Sequence, residues 1–300
     1  MILDFNESQH LRLKLTRTQR KQIRRLYMQV YQEVNREVEK LKGLQNVTSL
    51  SNTTSLRQLA RDIEKEYENL DGRIEDLIKS NMNEISSKVV EDSAKFATSV
   101  GLIVGSGYYN LPSEIVNRIA TGKVYENNFS LSKRIWGQSQ KIKRDINQII
   151  AKGTIMNKSS YEIAKDLERY VNPLARKDWE WSKVYPGTNR KIDYNAQRLA
   201  RTLVSHAYQQ SIIITTKDNP FVEGLRWLVA NNHRVCPICM EREGKIYKPE
   251  ELPLDHPNGQ CTYEAVIEKD MTEISNRIAD WVHGKEDFEL EKYAKSLNNL

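Results

Sequence analysis

Two long stretches of this chain repeat their apolar residues at steps of three and four, and that period limits the possible folds. Between Glu7 and Leu41, the residues Ile23, Tyr27, Val30, Val34, Val38 and Leu41 fall on one stripe. A turn of 3.6 residues places such a stripe on one side of a helix. From Leu56 to Val89 the residues Leu56, Leu59, Ile63, Tyr67, Leu70, Ile74, Ile78 and Ile85 continue in near-heptad steps. Gly72 interrupts that second helix at a cost of about 1 kcal/mol. The pattern predicts two long amphipathic helices packed as a hairpin, separated by a polar loop over Gly43–Thr54, with Ser55 as the cap of the second. Glycine and proline (13 and 8, together 21 of 300 residues) make up about 7% of the chain, against a typical ~12%. That scarcity argues against an all-β sandwich with many tight turns.

The helical period continues. Leu111-Pro112-Ser113-Glu114 reads as a helix start, with proline in the first turn. Leu131–Ala151, Ser159–Val171 and Tyr194–Thr216 follow, the last two stopped by Asn172-Pro173 and Asn219-Pro220. The glycine-rich Gly101–Gly107 has neither a preceding strand nor a closing Lys-Ser/Thr pair, so it reads as a hinge or tight turn, not a phosphate cradle. Trp179, Trp181 and Tyr185 lie in a turn-rich segment and read as core or interface aromatics. After Pro220 the pattern becomes strand-like over Val222–Ala230 and again over Cys261–Glu268. A helical period returns from Met271, in a tail with six Asp/Glu against four Lys/Arg. The expected fold class is therefore mainly α, with long amphipathic helices and a small C-terminal α+β module.

A two-stranded module has little apolar area to bury, and its cysteines offer a remedy. All three of the chain's cysteines lie within 26 residues: Cys236-Pro-Ile-Cys239, sixteen residues, His256, four residues, then Cys261. A Cys-x2-Cys knuckle aims two thiols at one point, and a His and a Cys from a nearby hairpin complete a tetrahedron. Cys236, Cys239, His256 and Cys261 are the expected ligands of a structural zinc ion, closed to substrate by its four donors. Metal binding would supply folding free energy of order 10 kcal/mol in so small a unit. The alternatives are a Cys236–Cys239 disulfide or free thiols, a surface role for His256, and Asp255 as a substitute oxygen ligand. The Asp255-His256 pair also allows a metal-stapled nuclease, although a histidine that binds zinc cannot also serve as a general base.

The segment from Asn195 to Glu268 resembles the phage Mu F-like head-morphogenesis family, the minor head proteins of tailed bacteriophages. The likeness rests on the helix NAQRLARTLVSHAYQQS, the Trp-containing GLRWLVANNHRVCPICMEREGKIY, and the closing LPLDHPNGQCTYEAV. The family pattern is an Arg-Thr helix, a Trp strand, C-P-x-C, a Gly-Lys turn and a closing H-P-x-C-x-C. Two positions depart from it: Gly259 stands where the first of two closing cysteines is expected, and Leu203 where an acidic residue often follows the Arg-Thr pair. The resemblance implies a helical assembly region over residues 1–190, a Mu F-like module with the zinc site over 191–268, and a short acidic helical tail over 269–300. It implies a non-enzymatic minor head protein, incorporated at the portal vertex during procapsid assembly in the host cytoplasm and located inside the phage head. Its partners would be the portal protein and possible capsid or scaffolding proteins, with effects on DNA packaging or ejection. A generic zinc-stabilised DNA-binding module is the remaining alternative.

Net charge is +6, and the excess is concentrated near the N-terminus. Arg12, Lys14, Arg17, Arg20, Lys21, Arg24 and Arg25 occur with no acidic residue between His10 and Gln32. Seven phosphate contacts would give a salt slope of about −6 on duplex DNA, reading charge and not sequence. A solvated face or an acidic protein partner are the competing readings. No aromatic residue is interleaved before Tyr27, so base stacking is not indicated. No run approaches the ~18 apolar residues of a membrane span. The opening residues lack the apolar core of a secretory leader.

Overall fold

The structure, a computed structural model, describes residues 3–44, 53–174, 192–229, 236–267 and 270–298. Trp179, Trp181 and Tyr185 lie outside these ranges. The protein is mainly helical with one small sheet near the C-terminus, as the sequence predicts. The helices are α1 (Asn6–Lys40), α2 (Thr53–Ser99), α3 (Leu111–Ala120), α4 (Leu131–Ile155), α5 (Ser160–Val171) and α6 (Tyr194–Thr216). Strand β1 (Gly224–Leu228), the short α7 (Pro237–Arg242), β2 (Ile246–Tyr247) and β3 (Thr262–Val266) follow, and α8 (Met271–Val282) and α9 (Phe288–Asn298) close the described chain. No described helix is long and apolar enough to cross a membrane.

Local chemistry sets several boundaries. Ser159 caps α5 through a full capping box, its hydroxyl accepting from Glu162 N while the Glu162 carboxylate accepts from Ser159 N. Pro112 sits in the first turn of α3, where its missing N–H leaves no helical bond unmade. Helix α2 begins at Thr53, before the Ser55 expected to cap it. The glycine-rich segment ends in a single 3-10 turn over Ser106–Asn110, and Gly105 N donates to Leu297 O at 2.9 Å.

The chain divides into two compact units. One comprises Met1–Arg17, Ile78–Asn128 and Ala200–Leu300; the other comprises Thr18–Leu77 and Phe129–Leu199. This partition differs from the three consecutive regions expected from sequence. Helices α1, α2 and α6 each contribute to both units, and long helices bring together residues far apart in the chain.

In the second unit the α1 stripe (Tyr27, Val30, Val34, Val38) is buried with Ile63, Tyr67 and Leu70 of α2, Ile142 and Ile146 of α4, and Leu167 of α5. Tyr27 and Tyr67 meet with ring centroids 5.9 Å apart. Arg24 pairs with the buried Asp193 at 3.0 Å.

In the first unit the sheet has three antiparallel strands in the order β2-β1-β3, one more than expected. The added β2 is only two residues long. Alternation explains the pleat: Leu225, Trp227, Tyr263 and Ala265 are buried, while Arg226 and Glu264 stand directly opposite each other on the outer face and pair at 2.7 Å. Trp227, fully buried, packs against Tyr263 and Tyr247 with ring centroids at 5.1 and 6.5 Å.

Candidate metal centre

The site is organised by one face of α6. Thr202, Ser205, His206 and Gln209 recur at i, i+3, i+4 and i+7, so they align along the helix. Each is buried and each bonds the backbone of the loop between β2 and β3. Gln209 donates to Pro253 O (2.7 Å) and accepts from Asp255 N (3.0 Å). His206 Nε2 donates to Asp255 O (3.0 Å), and its Nδ1 shares a hydrogen bond with the Tyr125 hydroxyl (3.0 Å). Ser205 donates to Gly259 O, and the Thr202 hydroxyl accepts from Asn258 N. Asn258 takes a left-handed φ of +68°, and Gly259 N donates to His256 O at 2.8 Å to close the turn.

Arg12 of α1 holds the same loop. Its guanidinium donates to Gln260 O (2.8 Å) and Cys261 O (2.9 Å) and lies over the Tyr208 ring at 4.8 Å. It is 1% exposed. This corrects the sequence expectation for one residue: Arg12 does not belong to a DNA-facing surface, because its charge serves buried carbonyls. Lys14, Arg17, Arg20, Lys21 and Arg25 are exposed, and Arg24 is half-buried against Asp193.

The loop so held brings the cysteines and His256 together, and Cys236, Cys239, Cys261 and His256 could form a metal site. Two overlapping trios of donor atoms lie within 4.8 Å of one another, Cys236/Cys239/His256 and Cys239/Asp255/Cys261. Cys239 is common to both. No disulfide joins the three cysteines. Cys236 caps α7, its sulfur accepting from Cys239 N at 3.3 Å, which is the turn a Cys-x2-Cys knuckle requires. Cys239 and Cys261 are buried, and Cys236 and His256 are half-buried. His256 Nδ1 donates to Pro257 O at 3.0 Å, which leaves Nε2 as the ring's lone-pair atom.

Without a cation this is a costly arrangement. Burial, followed by the neighbouring Cys236 and Cys261 sulfurs, pushes the Cys239 thiol up. Burial also raises the Asp255 carboxyl, against the opposing pull of His256 and Arg12. A divalent ion would reverse both effects by stabilising the deprotonated forms. Sulfur, imidazole and carboxylate donors in these two overlapping trios could hold a metal ion.

Sequence reasoning missed the buried role of Arg12 and the α6 face, and it had Asp255 only as a substitute oxygen ligand, where the structure puts it in a trio with Cys239 and Cys261. Polar residues at i, i+3, i+4 and i+7 on a helix that otherwise reads as core were the available signal for the α6 face. No family profile, curated protein or solved structure matches the chain.

Proposed function

We propose that this chain is a non-enzymatic minor head protein of a tailed bacteriophage, placed at the portal vertex during head assembly, whose C-terminal module is clasped by a structural zinc ion bound through Cys236, Cys239, Cys261 and His256. The observation that carries the reading is the braced loop over residues 253–261. Helix α6 and Arg12 fix its backbone, and the fixed loop presents sulfur and imidazole to the Cys236-Cys239 knuckle. A clasp held this rigidly suits a scaffold element better than a reaction centre that must admit substrate. The nuclease alternative needs an accessible Asp255, and that residue is 3% exposed. The order of motifs from Asn195 to Glu268 supports the phage assignment, and the exposed basic residues of α1 suit non-specific contact with packaged DNA or an acidic protein surface.

The test is co-expression with the portal protein of the same phage, followed by isolation of portal rings at low and high salt. Retention of the chain on the rings is expected. Its absence from the rings under both conditions refutes the assignment. Elemental analysis of the purified chain is expected to give one zinc per molecule.

A further inference from the structure

We propose that Asp255 is itself a ligand of the metal ion, through Oδ2, so that the centre includes a carboxylate oxygen beside its sulfurs. The proposal rests on the metal reading above and adds a donor to it. Asp255 shares one trio with Cys239 and Cys261, all three residues being buried and their donor atoms within 4.8 Å of one another. Its two oxygens are in different situations. Oδ1 accepts from His256 N at 2.8 Å, whereas Oδ2 is buried and makes no well-formed hydrogen bond, although the Cys261 backbone N–H also favours the charged carboxylate. A carboxylate oxygen held out of water without a well-formed hydrogen bond is costly, and a cation between it and the two sulfurs would satisfy it.

The backbone around Asp255 fixes its place. Its N–H is held by Gln209 and its carbonyl by His206, so the residue is anchored at both ends before its side chain is considered. The side chain then lies directly on Gly259. A Cβ built at position 259 would stand 2.0 Å from Oδ2 and 2.1 Å from the carboxyl carbon. Gly259 does not adopt a left-handed φ. The carboxylate thus occupies the space that the glycine leaves, and a Cβ at position 259 would have to displace it.

Charge is accommodated as well. Three thiolates and a carboxylate around a divalent ion leave an anionic centre, and Arg12 brings a buried guanidinium to the same loop. Zinc accepts carboxylate oxygen at about 2.0–2.2 Å beside sulfur at about 2.3 Å.

Two substitutions and one spectroscopic measurement test the proposal in the full chain. Asp255→Asn keeps the shape and the acceptor for His256 N but removes the charge. Gly259→Ala keeps Asp255 and displaces its carboxylate. Both are expected to weaken zinc binding at least about tenfold in chelator competition, the lower end of what disturbing a metal's surroundings costs. Asp255→Asn binding zinc within twofold of the wild type overturns the proposal while leaving the metal centre in place. A wild-type chain that takes up no zinc overturns the metal reading and this proposal with it. Should the variants fail to fold, zinc X-ray absorption on the wild-type chain, where all the other donors are in place, decides the matter. A light-atom scatterer at about 2.0–2.2 Å in addition to the imidazole supports Asp255, and a shell of sulfur and imidazole alone overturns it.

Discussion

The guanidinium of Arg12 donates to the carbonyl of Cys261, a residue 249 positions later in the chain. The contact joins the first helix to the loop that carries the last cysteine. It is buried, and a second bond to Gln260 O accompanies it. A charged donor serving two neutral acceptors is among the stronger hydrogen-bonding arrangements available to a protein interior.

Arg12→Met should therefore be severely destabilising. Methionine keeps much of the aliphatic stem but leaves two buried carbonyls without their donor, at a cost of about 2–4 kcal/mol. Arg12→Lys, with a point charge in place of a planar fork, should recover less than half of that. The exposed Lys14→Met should change stability by no more than about 0.5 kcal/mol. Denaturant unfolding of the three variants measures the ranking, and equal effects at positions 12 and 14 would refute it.

Removal of the metal should loosen the sheet before the helices. Trp227 lies against Tyr247 and Tyr263 on the strands that flank the cysteine loop, so its fluorescence reports that region. Chelation is expected to shift Trp227 emission to the red while most far-UV helical signal is kept. Other tryptophans are present, so the shift should vanish in Trp227→Phe. Affinity should also fall as pH falls, because protons compete for the sulfur and imidazole donors. A pH-independent affinity would contradict this.

Asp71 of α2 gives the second unit a separate pH dependence. Burial pushes its carboxyl up to about 6, against the Ser139 hydroxyl that lies 2.7 and 2.6 Å from its oxygens. The unfolded chain would titrate near 3.9. The folded form thus holds its proton more tightly, so this contribution is full below about pH 4 and is lost as pH rises through about 6. Asp71→Asn should flatten that slope and stabilise the protein at pH 7.5 by about 1 kcal/mol, a figure reduced for the group's partial exposure. Melting curves at pH 5 and 7.5 provide the check; an unchanged difference between them would count against it.

Gly153 of α4 faces Ile163 of α5 at close quarters. A Cβ there would stand 2.5 Å from Cγ1 of Ile163. Gly153→Ala gains helix propensity but forces the two helices apart, for a net loss of about 1–3 kcal/mol. Pairing it with Ile163→Ala should recover part of the loss relative to the sum of the single changes. Strict additivity in the double-mutant cycle would show that the two residues do not compete for space.

DNA binding, if this surface provides it, should run through the exposed members of the basic run. Lys14, Arg17, Arg20, Lys21 and Arg25 offer five charges, which predicts a salt slope of about −4 to −5 on duplex DNA instead of the −6 of seven contacts. Charge removal at Arg17 and Lys21 together should lessen that slope by about 2. A slope near zero in the wild type would assign the surface to another role.

The helices were legible because one property, apolar periodicity, determines them over many residues. The Tyr194–Thr216 helix falls where the pattern places it, and the helix expected over Ser159–Val171 runs over Ser160–Val171. The small sheet was less legible. β2 consists of Ile246 and Tyr247 alone, too short to show alternation. Arg12 was misread because a basic residue among six others looks like part of a solvated face; its burial depends on two carbonyls supplied by a distant loop. The donor set was only partly legible for a similar reason. The spacing of Cys236 and Cys239 encodes a local turn, while Asp255 joins through packing on Gly259 that no local pattern records.

The contact between Arg12 and Cys261 also has a temporal side. During synthesis the arginine emerges roughly 250 residues ahead of the carbonyl that it serves, an interval of about 12–50 s at ordinary elongation rates. Throughout that interval the first helix lacks its counterpart, and a ribosome stalled before codon 261 would release a chain whose N-terminal segment remains available to chaperones and proteases.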